Sequence, residues 1–281
     1  MVVTTSRPDK AKASPNETAI RFKSEKETAK DKYDVTHIYH HGAVCDTDTV
    51  GNPTPENRSP LEIVVNATEG FIPLWASNVT LRWRFEKKSL LAFADPEAAK
   101  NYIRTLFAAS VVLWGDAVPI RFTEVRDRWD FEIVVQPQAN CSPNGCVLAS
   151  AFFPDGGQHA LTIFPTMFQQ SRQEQVETLA HEIGHVFGLR HFFALVQEQA
   201  FPARIFGKHS RFSIMNYGPD SKMTANDQSD LKALYQAVWT GQMTDINGTP
   251  IRLVMPFSSL QNTVLPSAQI AIMPAALAAR M

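Results

Sequence analysis

The chain has 281 residues, a formal net charge of −1, 44% hydrophobic residues and 20% charged residues. This length can hold one large domain or two small ones with a substantial core, and the composition is that of an ordinary soluble globular protein. A charge so near zero gives no electrostatic reason to expect a nucleic acid or an anionic membrane as partner. No apolar run is long enough to span a bilayer, and the N-terminal stretch has no apolar core of the signal-peptide kind.

Composition divides the chain into four regions. Residues 1–35 are rich in Lys, Glu, Asp, Ser and Thr with little to bury, which predicts a disordered arm. Turn-forming residues dominate 36–60 and predict an irregular segment lying on a domain. Residues 61–240 carry the patterns of regular structure and are predicted to be the main domain. In 241–281, the Asn-Gly pair of "DINGTPIRLVMPF" predicts a hairpin, and an irregular tail follows.

Strand patterns alternate with helix patterns in the main domain. Six short runs rich in β-branched and aromatic residues predict strands: LEIVVNA, VTLRWRF, IRFTEV, DFEIVVQ, CVLASAFF and ALTIF. Between the second and third runs, Asp95 as N-cap and Pro96 at the first position predict the start of a helix. Strands followed by helices, with one helix inserted early, predict an α+β fold with a mostly antiparallel or mixed sheet and helices on one side.

Two further helices are predicted in the second half of the domain. One is expected to run from about Gln170 to Phe187. The other is expected to begin at "TANDQSDLKALYQAVW", where Thr224 and Asp227 suggest a capping arrangement, and to stop at Gly241.

The stretch "HEIGHVFGLRH" places three of the chain's eight histidines within eleven positions. Residues four apart lie on the same face of a helix, so His181 and His185 can reach one metal ion together. Gly188 can adopt the left-handed conformation of a sharp helix end, which lets His191 return as a third ligand. Three imidazoles with one open position are typical of catalytic zinc, and Glu182 is placed to accept a proton from a water there.

With a methionine further along, this motif resembles the metzincin zinc peptidases, whose signature is H-E-x-x-H-x-x-G-x-x-H followed by a Met-turn. The turn matches "FSIMNYG", where Met215 would form a hydrophobic floor under the metal. Tyr217 matches the tyrosine of astacin-like and serralysin-like members, so the resemblance makes it a movable fifth ligand that also stabilises the oxyanion. The implied fold is a twisted mostly antiparallel or mixed sheet with an active-site helix, a long helix behind the sheet, and a small C-terminal subdomain with a helix.

The similarity extends upstream over about residues 61–240, where the pattern is similar to the matrixin N-terminal subdomain. Two departures set this chain apart. Phe192 follows the third histidine, where the well-known subfamilies have Ser, Glu, Pro or Asp. The His-x-Asp pattern of the matrixin structural-zinc loop is missing, and His159 with Asp155 does not rebuild it. We therefore expect one catalytic zinc and no second zinc; a need for calcium is left open.

The resemblance implies hydrolysis of a protein or peptide substrate. It also implies an extended substrate along an edge strand, which we expect around His159–Phe164, and this favours an endopeptidase. A catalytically silent zinc-binding interaction protein on the same scaffold is the alternative, although Glu182 would then have no task. An intracellular effector protease with one narrow target is a third reading. We expect a monomer, extracellular by family resemblance or cytoplasmic if the numbering begins at the true N-terminus.

The three cysteines leave alternatives open. Cys141 and Cys146 flank a Pro-Asn-Gly turn, where a disulfide and a pair of free thiols both fit the sequence. Cys45 precedes the main domain in "HHGAVCDTDT". A thiolate from such a segment can occupy the open zinc position and hold a metzincin latent, but the matrixin latency consensus is absent. A buried unpaired thiol is the other interpretation of Cys45.

Overall fold

A computed structural model describes most of the main domain and the segments that pack on it. The described residues are 43–44, 63–66, 70–142, 145–191, 203–206, 213–216 and 221–260. The predicted arm 1–35, most of 36–60 and the tail beyond 260 lie outside them. No helix among the described residues is both long enough and apolar enough to cross a bilayer.

Short strands and four helices make up this part of the chain. The strands are β1 Ala43–Val44, β2 Ile63–Asn66, β3 Ile72–Trp75, β4 Thr80–Phe85, β5 Arg121–Glu124, β6 Phe131–Val135, β7 Asn140–Ser142, β8 Gly145–Val147, β9 Ala149–Ser150, β10 His159–Ile163, β11 Leu189–Arg190, β12 Ala203–Phe206, β13 Asp245–Ile246 and β14 Thr249–Val254. The helices are α1 Pro96–Leu113, α2 Arg172–Val186, α3 Ala225–Trp239 and α4 Phe257–Leu260, with 3-10 turns at Ser89–Ala92, Gly115–Ala117 and Pro165–Gln169.

The largest sheet has five strands in the order β5-β4-β6-β10-β9. The pairs β4–β5, β4–β6 and β6–β10 are parallel, and β9 runs antiparallel to β10. The sheet is therefore mixed, one of the two arrangements expected from the sequence, within an α+β fold. The prediction that His159–Phe164 forms the edge strand is wrong: Thr162 and Ile163 pair with β9, which is itself the edge.

Alternating burial along the central strands explains why the sheet forms. Inward residues of β4 and β6 are buried while their neighbours are partly exposed, the period-two pattern of a strand with one face on a core. Trp83 lies 5.2 Å from Phe107 of α1 and 6.5 Å from Phe131, measured between ring centroids. Burying an aromatic or aliphatic side chain of this kind contributes roughly 1.5–3 kcal/mol. The core thus lies between the sheet and the long helix α1.

The helix predictions are confirmed, including their start signals. Asp95 caps α1, accepting a 3.0 Å hydrogen bond from the amide of Ala98, with Pro96 as the first residue. Thr224 and Asp227 form a complete capping box at α3. The chain leaves α3 through Gly241, whose φ of +72° lies in the left-handed region.

The described residues also form three smaller sheets, in the orders β1-β8-β7, β11-β2-β12 and β13-β14-β3. The predicted Asn-Gly hairpin is β13–β14, and Asn247 and Gly248 both have positive φ, as a two-residue turn of this kind requires. Strand β3 is not among the six predicted runs; Pro73 lies inside it, and a proline is unusual in an interior strand. Among the described residues β3 lies at the margin of its sheet with β14 as its one strand partner, and a missing N–H is tolerated at such a position.

Candidate metal centre

Helix α2 carries the first part of the histidine motif and has a well-defined start. Ser171 accepts a hydrogen bond from the amide of Glu174 at 3.3 Å, and the Glu174 carboxylate accepts one from the amide of Ser171 at 2.8 Å. This capping box satisfies two amides that the helix leaves free. The second half of α2 is buried throughout, including His181, Glu182 and His185. One turn separates the two histidines, so both imidazoles project from the same face.

The helix ends as the glycine predicts. Gly188 has φ of +90°, and its amide donates to the carbonyl of His185 at 2.8 Å. The chain then enters β11, where Leu189 and Arg190 pair with β2. This reversal brings His191 back to the other two histidines, whose side chains, like its own, are at most 8% exposed.

The three imidazoles converge through their Nε2 atoms. Nε2 of His181 lies 2.9 Å from that of His191 and 3.2 Å from that of His185, and the three ring centroids are 4.8–4.9 Å apart. In the described part of the chain, this trio is the one group of three or more His, Cys, Asp or Glu residues close enough to hold a metal.

Backbone carbonyls fix the tautomers of two of these histidines. Nδ1 of His181 donates to the carbonyl of Ile214 at 2.7 Å, and Nδ1 of His185 donates to that of Leu189 at 2.7 Å. Because a carbonyl can only accept, Nδ1 must carry the proton, and Nε2 is left with a lone pair. Two lone pairs 3.2 Å apart repel unless a cation lies between them. The donor set therefore fits a zinc ion held by neutral imidazoles.

The segment 213–216 forms a tight turn beneath this centre. The amide of Asn216 donates to the carbonyl of Ser213 at 3.1 Å, and Met215 is 1% exposed. A Cβ added to Gly184 of α2 would overlap the Sδ atom of Met215, so the thioether packs directly on the glycine face of the helix. The turn also supplies the Ile214 carbonyl that orients His181.

Asp227 ties this turn to helix α3. Its buried carboxylate accepts hydrogen bonds from the hydroxyl of Ser213, the amide of Ile214 at 3.3 Å, and both the amide and hydroxyl of Thr224, at 2.8 and 2.7 Å. The sequence predicted the capping role of Asp227 but not the contact with the turn. A carboxylate in a capping box gives no signal for a partner thirteen residues upstream.

The other predicted site residues are placed as follows. Glu182 is 2% exposed and adjacent to His181 on α2. Cys141 and Cys146 are joined by a disulfide between β7 and β8. Tyr217 and Cys45 lie outside the described residues.

His159 and Asp155 are near each other without forming a closed site. Nε2 of His159 is 3.8 Å from the Asp155 carboxylate, and its ring stacks on Phe152 at 4.5 Å. Desolvation by burial lowers the pKa of His159, partly opposed by the charges of Asp155 and Asp130. The expectation of no second zinc stays a prediction.

A family model described as matrixin, among the M10 peptidases, matches residues 74–236, more than half of the chain. The chain belongs to the matrixin family. As a matrixin it is a protease of the metallopeptidase class. No curated protein matches this matrixin. Among solved structures, that of myroilysin is similar with a TM-score of 0.38 and 14% identity, over 61% of this chain and 98% of the myroilysin chain.

Proposed function

We propose that this matrixin is a zinc-dependent endopeptidase whose metal is held by His181, His185 and His191. The observation that carries the proposal is the convergence of three Nε2 atoms, two of them left unprotonated by backbone carbonyls that bind Nδ1. Three protein ligands leave a vertex of a tetrahedral site for solvent, which is the arrangement of catalytic zinc.

When bound, zinc would act as a Lewis acid toward the scissile carbonyl and would lower the pKa of a water molecule. Glu182 is the proposed general base. It lies on α2 directly after the first ligand, takes the proton from the attacking water, and delivers it to the leaving amine. Burial of Glu182 and the histidines keeps bulk water from competing for that proton. Met215 is proposed as the floor beneath the ligands, since it packs against Gly184 between them.

Tyr217 is proposed to hydrogen-bond the developing oxyanion. The described turn ends at Asn216, so Tyr217 follows the segment that orients His181. The conservative variant Tyr217→Phe keeps the ring and removes the hydroxyl. We expect it to lower kcat with little change in zinc content, because one oxyanion donor is typically worth about 10²–10³ in rate. Unchanged kcat would remove Tyr217 from the mechanism.

The substrate is proposed to be an extended peptide lying along β9. This strand is the margin of the five-stranded sheet, with β10 on one side. Three residues beyond β9, Phe153 packs against the ligand His185, with 5.5 Å between ring centroids. An extended peptide on this edge therefore lies close to the metal centre and can continue in both directions, which supports internal cleavage over removal of terminal residues.

The test combines metal analysis with hydrolysis of casein by the full chain. We expect about one zinc per chain, loss of hydrolysis on chelation, and recovery on adding zinc. Glu182→Ala should retain zinc while hydrolysis falls by about 10²–10⁴-fold. Zinc bound without hydrolysis by the native chain would favour a silent binding protein. Full activity of the Glu182→Ala variant would refute the assigned base.

Latency through Cys45 is a separate proposal about the same site. The described strand β1 ends at Val44, directly before this cysteine, and pairs in parallel with β8, with Ala43 opposite Cys146. Strand β8 leads into the edge strand β9 after one residue. Strand β1 therefore lies beside the strand that leads into the proposed substrate strand. Cys45→Ser should raise the activity of the full chain; unchanged activity would leave Cys45 as an ordinary thiol.

A further inference from the structure

Trp114 lies under the metal-binding helix at the end of α1. Its side chain is 0% exposed, and its indole Nε1 donates a 2.9 Å hydrogen bond to the carbonyl of Ala180. Ala180 immediately precedes the ligand His181 on α2. The indole therefore holds the backbone of α2 at the residue before the first ligand.

The same ring packs against the helix between the two ligands. A Cβ at Gly184 would come within 3.1 Å of Trp114 Cζ2 and would overlap Met215 Sδ. The indole of Trp114 and the thioether of Met215 thus both contact α2 at Gly184. They lie closer to the helix backbone than a side chain at position 184 would allow. Phe187 also packs against the indole, edge to face, with 5.7 Å between ring centroids. The floor beneath the imidazoles consequently has two parts, Met215 and Trp114.

A second hydrogen bond repeats this contact one turn earlier along both helices. The Ser110 hydroxyl lies 2.8 Å from the carbonyl of Val176 on α2 and 2.9 Å from the carbonyl of Leu106 on its own helix, and its single hydrogen is shared between these two acceptors. Ser110 and Trp114 are four apart on α1, and Val176 and Ala180 are four apart on α2, so the two bonds form a ladder along the helix contact. Of the two, the Trp114 bond is the one that lies next to a ligand, so it acts on the rotation of α2 where His181 and His185 extend from it.

Rotation of α2 matters for metal binding because the ligands extend from it. An atom about 6 Å from a helix axis moves by about 1 Å when the helix turns by about 10°. Distances from zinc to its ligands tolerate only about 0.2 Å. Small rotations therefore weaken the site unless the third ligand follows.

We propose that Trp114 is a positioning residue of the metal centre. Through the Ala180 carbonyl and the Gly184 face, it sets the rotation of α2 and so the angle at which His181 and His185 reach an ion. The proposal rests on the proposed function for the presence of zinc, but it can be tested without measuring hydrolysis.

The decisive variant replaces Trp114 by 3-benzothienylalanine, which keeps the bicyclic shape and removes only the N–H donor. Trp114→Phe is the genetically encoded variant; it removes the donor together with the second ring. Ser110→Ala is the matched control, because it removes the same kind of bond to α2 one turn further from the ligands. Zinc affinity is measured by competition with a chelator, ligand geometry by the visible absorption of the cobalt-substituted protein, and stability by the melting temperature of the metal-free chain.

The benzothienyl variant should bind zinc about twofold to tenfold more weakly, the range that corresponds to one neutral hydrogen bond. Trp114→Phe should bind zinc at least as weakly, and both variants should show a changed cobalt spectrum. Ser110→Ala should lower the melting temperature while affinity and spectrum stay native. The proposal is overturned if the benzothienyl variant keeps native affinity and spectrum, or if Ser110→Ala weakens zinc binding equally. Should Trp114→Phe not fold, the benzothienyl variant decides. A native chain that binds no zinc would instead refute the proposed function.

Discussion

Replacing Asp227 by asparagine should destabilise the turn under the metal centre. In the native chain the Oδ2 atom receives donors from Ile214 and from both the amide and hydroxyl of Thr224, and Oδ1 receives the hydroxyl of Ser213. An amide can keep its oxygen at the Oδ2 position, but its NH₂ group then faces the Ser213 hydroxyl. That hydroxyl also accepts from the amide of Met215 at 3.0 Å, so its own hydrogen loses its acceptor.

The size of the effect follows from the four bonds. Three bonds weaken by about 1 kcal/mol each when their acceptor becomes neutral, and loss of the fourth costs about 1.5–3 kcal/mol, so the sum is about 4.5–6 kcal/mol. Relief from burying a charge offsets part of this loss. We therefore expect the free energy of unfolding to fall by about 2–4 kcal/mol. For a domain of this size that corresponds to a melting temperature lower by about 4–16 °C.

The assay is thermal denaturation followed by circular dichroism, on chains saturated with zinc and on chains stripped of metal. Asp116→Asn is the matched control, because Asp116 is an exposed carboxylate paired with Lys232 on the surface, and we expect no measurable change from it. A melting temperature for Asp227→Asn within about 2 °C of the native value would refute the reasoning that the carboxylate ties the turn to α3.

Three further outcomes are expected. Because burial lowers the pKa of His159, the unfolded chain binds more protons than the folded chain as pH falls from about 6.5 toward the folded pKa, and the free energy of unfolding falls over that window. In urea unfolding, the free energy of unfolding of His159→Gln should fall less steeply with pH than that of the native chain. An equally steep fall in both would contradict this. Gly188→Ala should lower the free energy of unfolding by about 1–2 kcal/mol for its φ of +90°, and further because the new Cβ would lie 3.0 Å from a methyl of Leu74. Gly248→Ala is the control, since its φ is +76° but nothing lies within 4 Å of a Cβ there, so it should lose only the backbone strain. Equal losses in urea unfolding would rule out the contribution of the Leu74 contact. Reduction of the Cys141–Cys146 disulfide should increase hydrogen exchange in β7 and β8 without releasing zinc, and zinc loss on reduction would place the disulfide within the metal site.

Local signals explain what could be predicted from the sequence. The caps at Asp95 and Thr224 act within four residues, and both helices begin where these residues indicate. The histidine motif is equally local, since one helical turn and one glycine are enough to place His181, His185 and Gly188. For such features the chain near a residue determines its structure.

Non-local pairing explains what could not be predicted. Nothing in the sequence of β10 indicates that β9 pairs with its second side. The sequence therefore predicts β10 as the edge strand, whereas the edge of the sheet is β9. The partner of Trp114 is 66 residues away, and that of Ser213 is 14 residues away. A buried tryptophan or a capping aspartate has many potential partners in a sequence, and only the packed fold selects one.

The parallel pairing of β14 with β3 has a practical consequence for expression of shorter fragments. Trp75, at the end of β3, donates from its indole to the carbonyl of Val186 at 2.7 Å and accepts at its own carbonyl from Trp239 at 2.9 Å. A fragment that ends after α3 would lack β14 and so expose the hydrogen-bonding edge of β3, a strand that contacts α2, and exposed strand edges promote aggregation. Expression trials should therefore retain the polypeptide to at least residue 260.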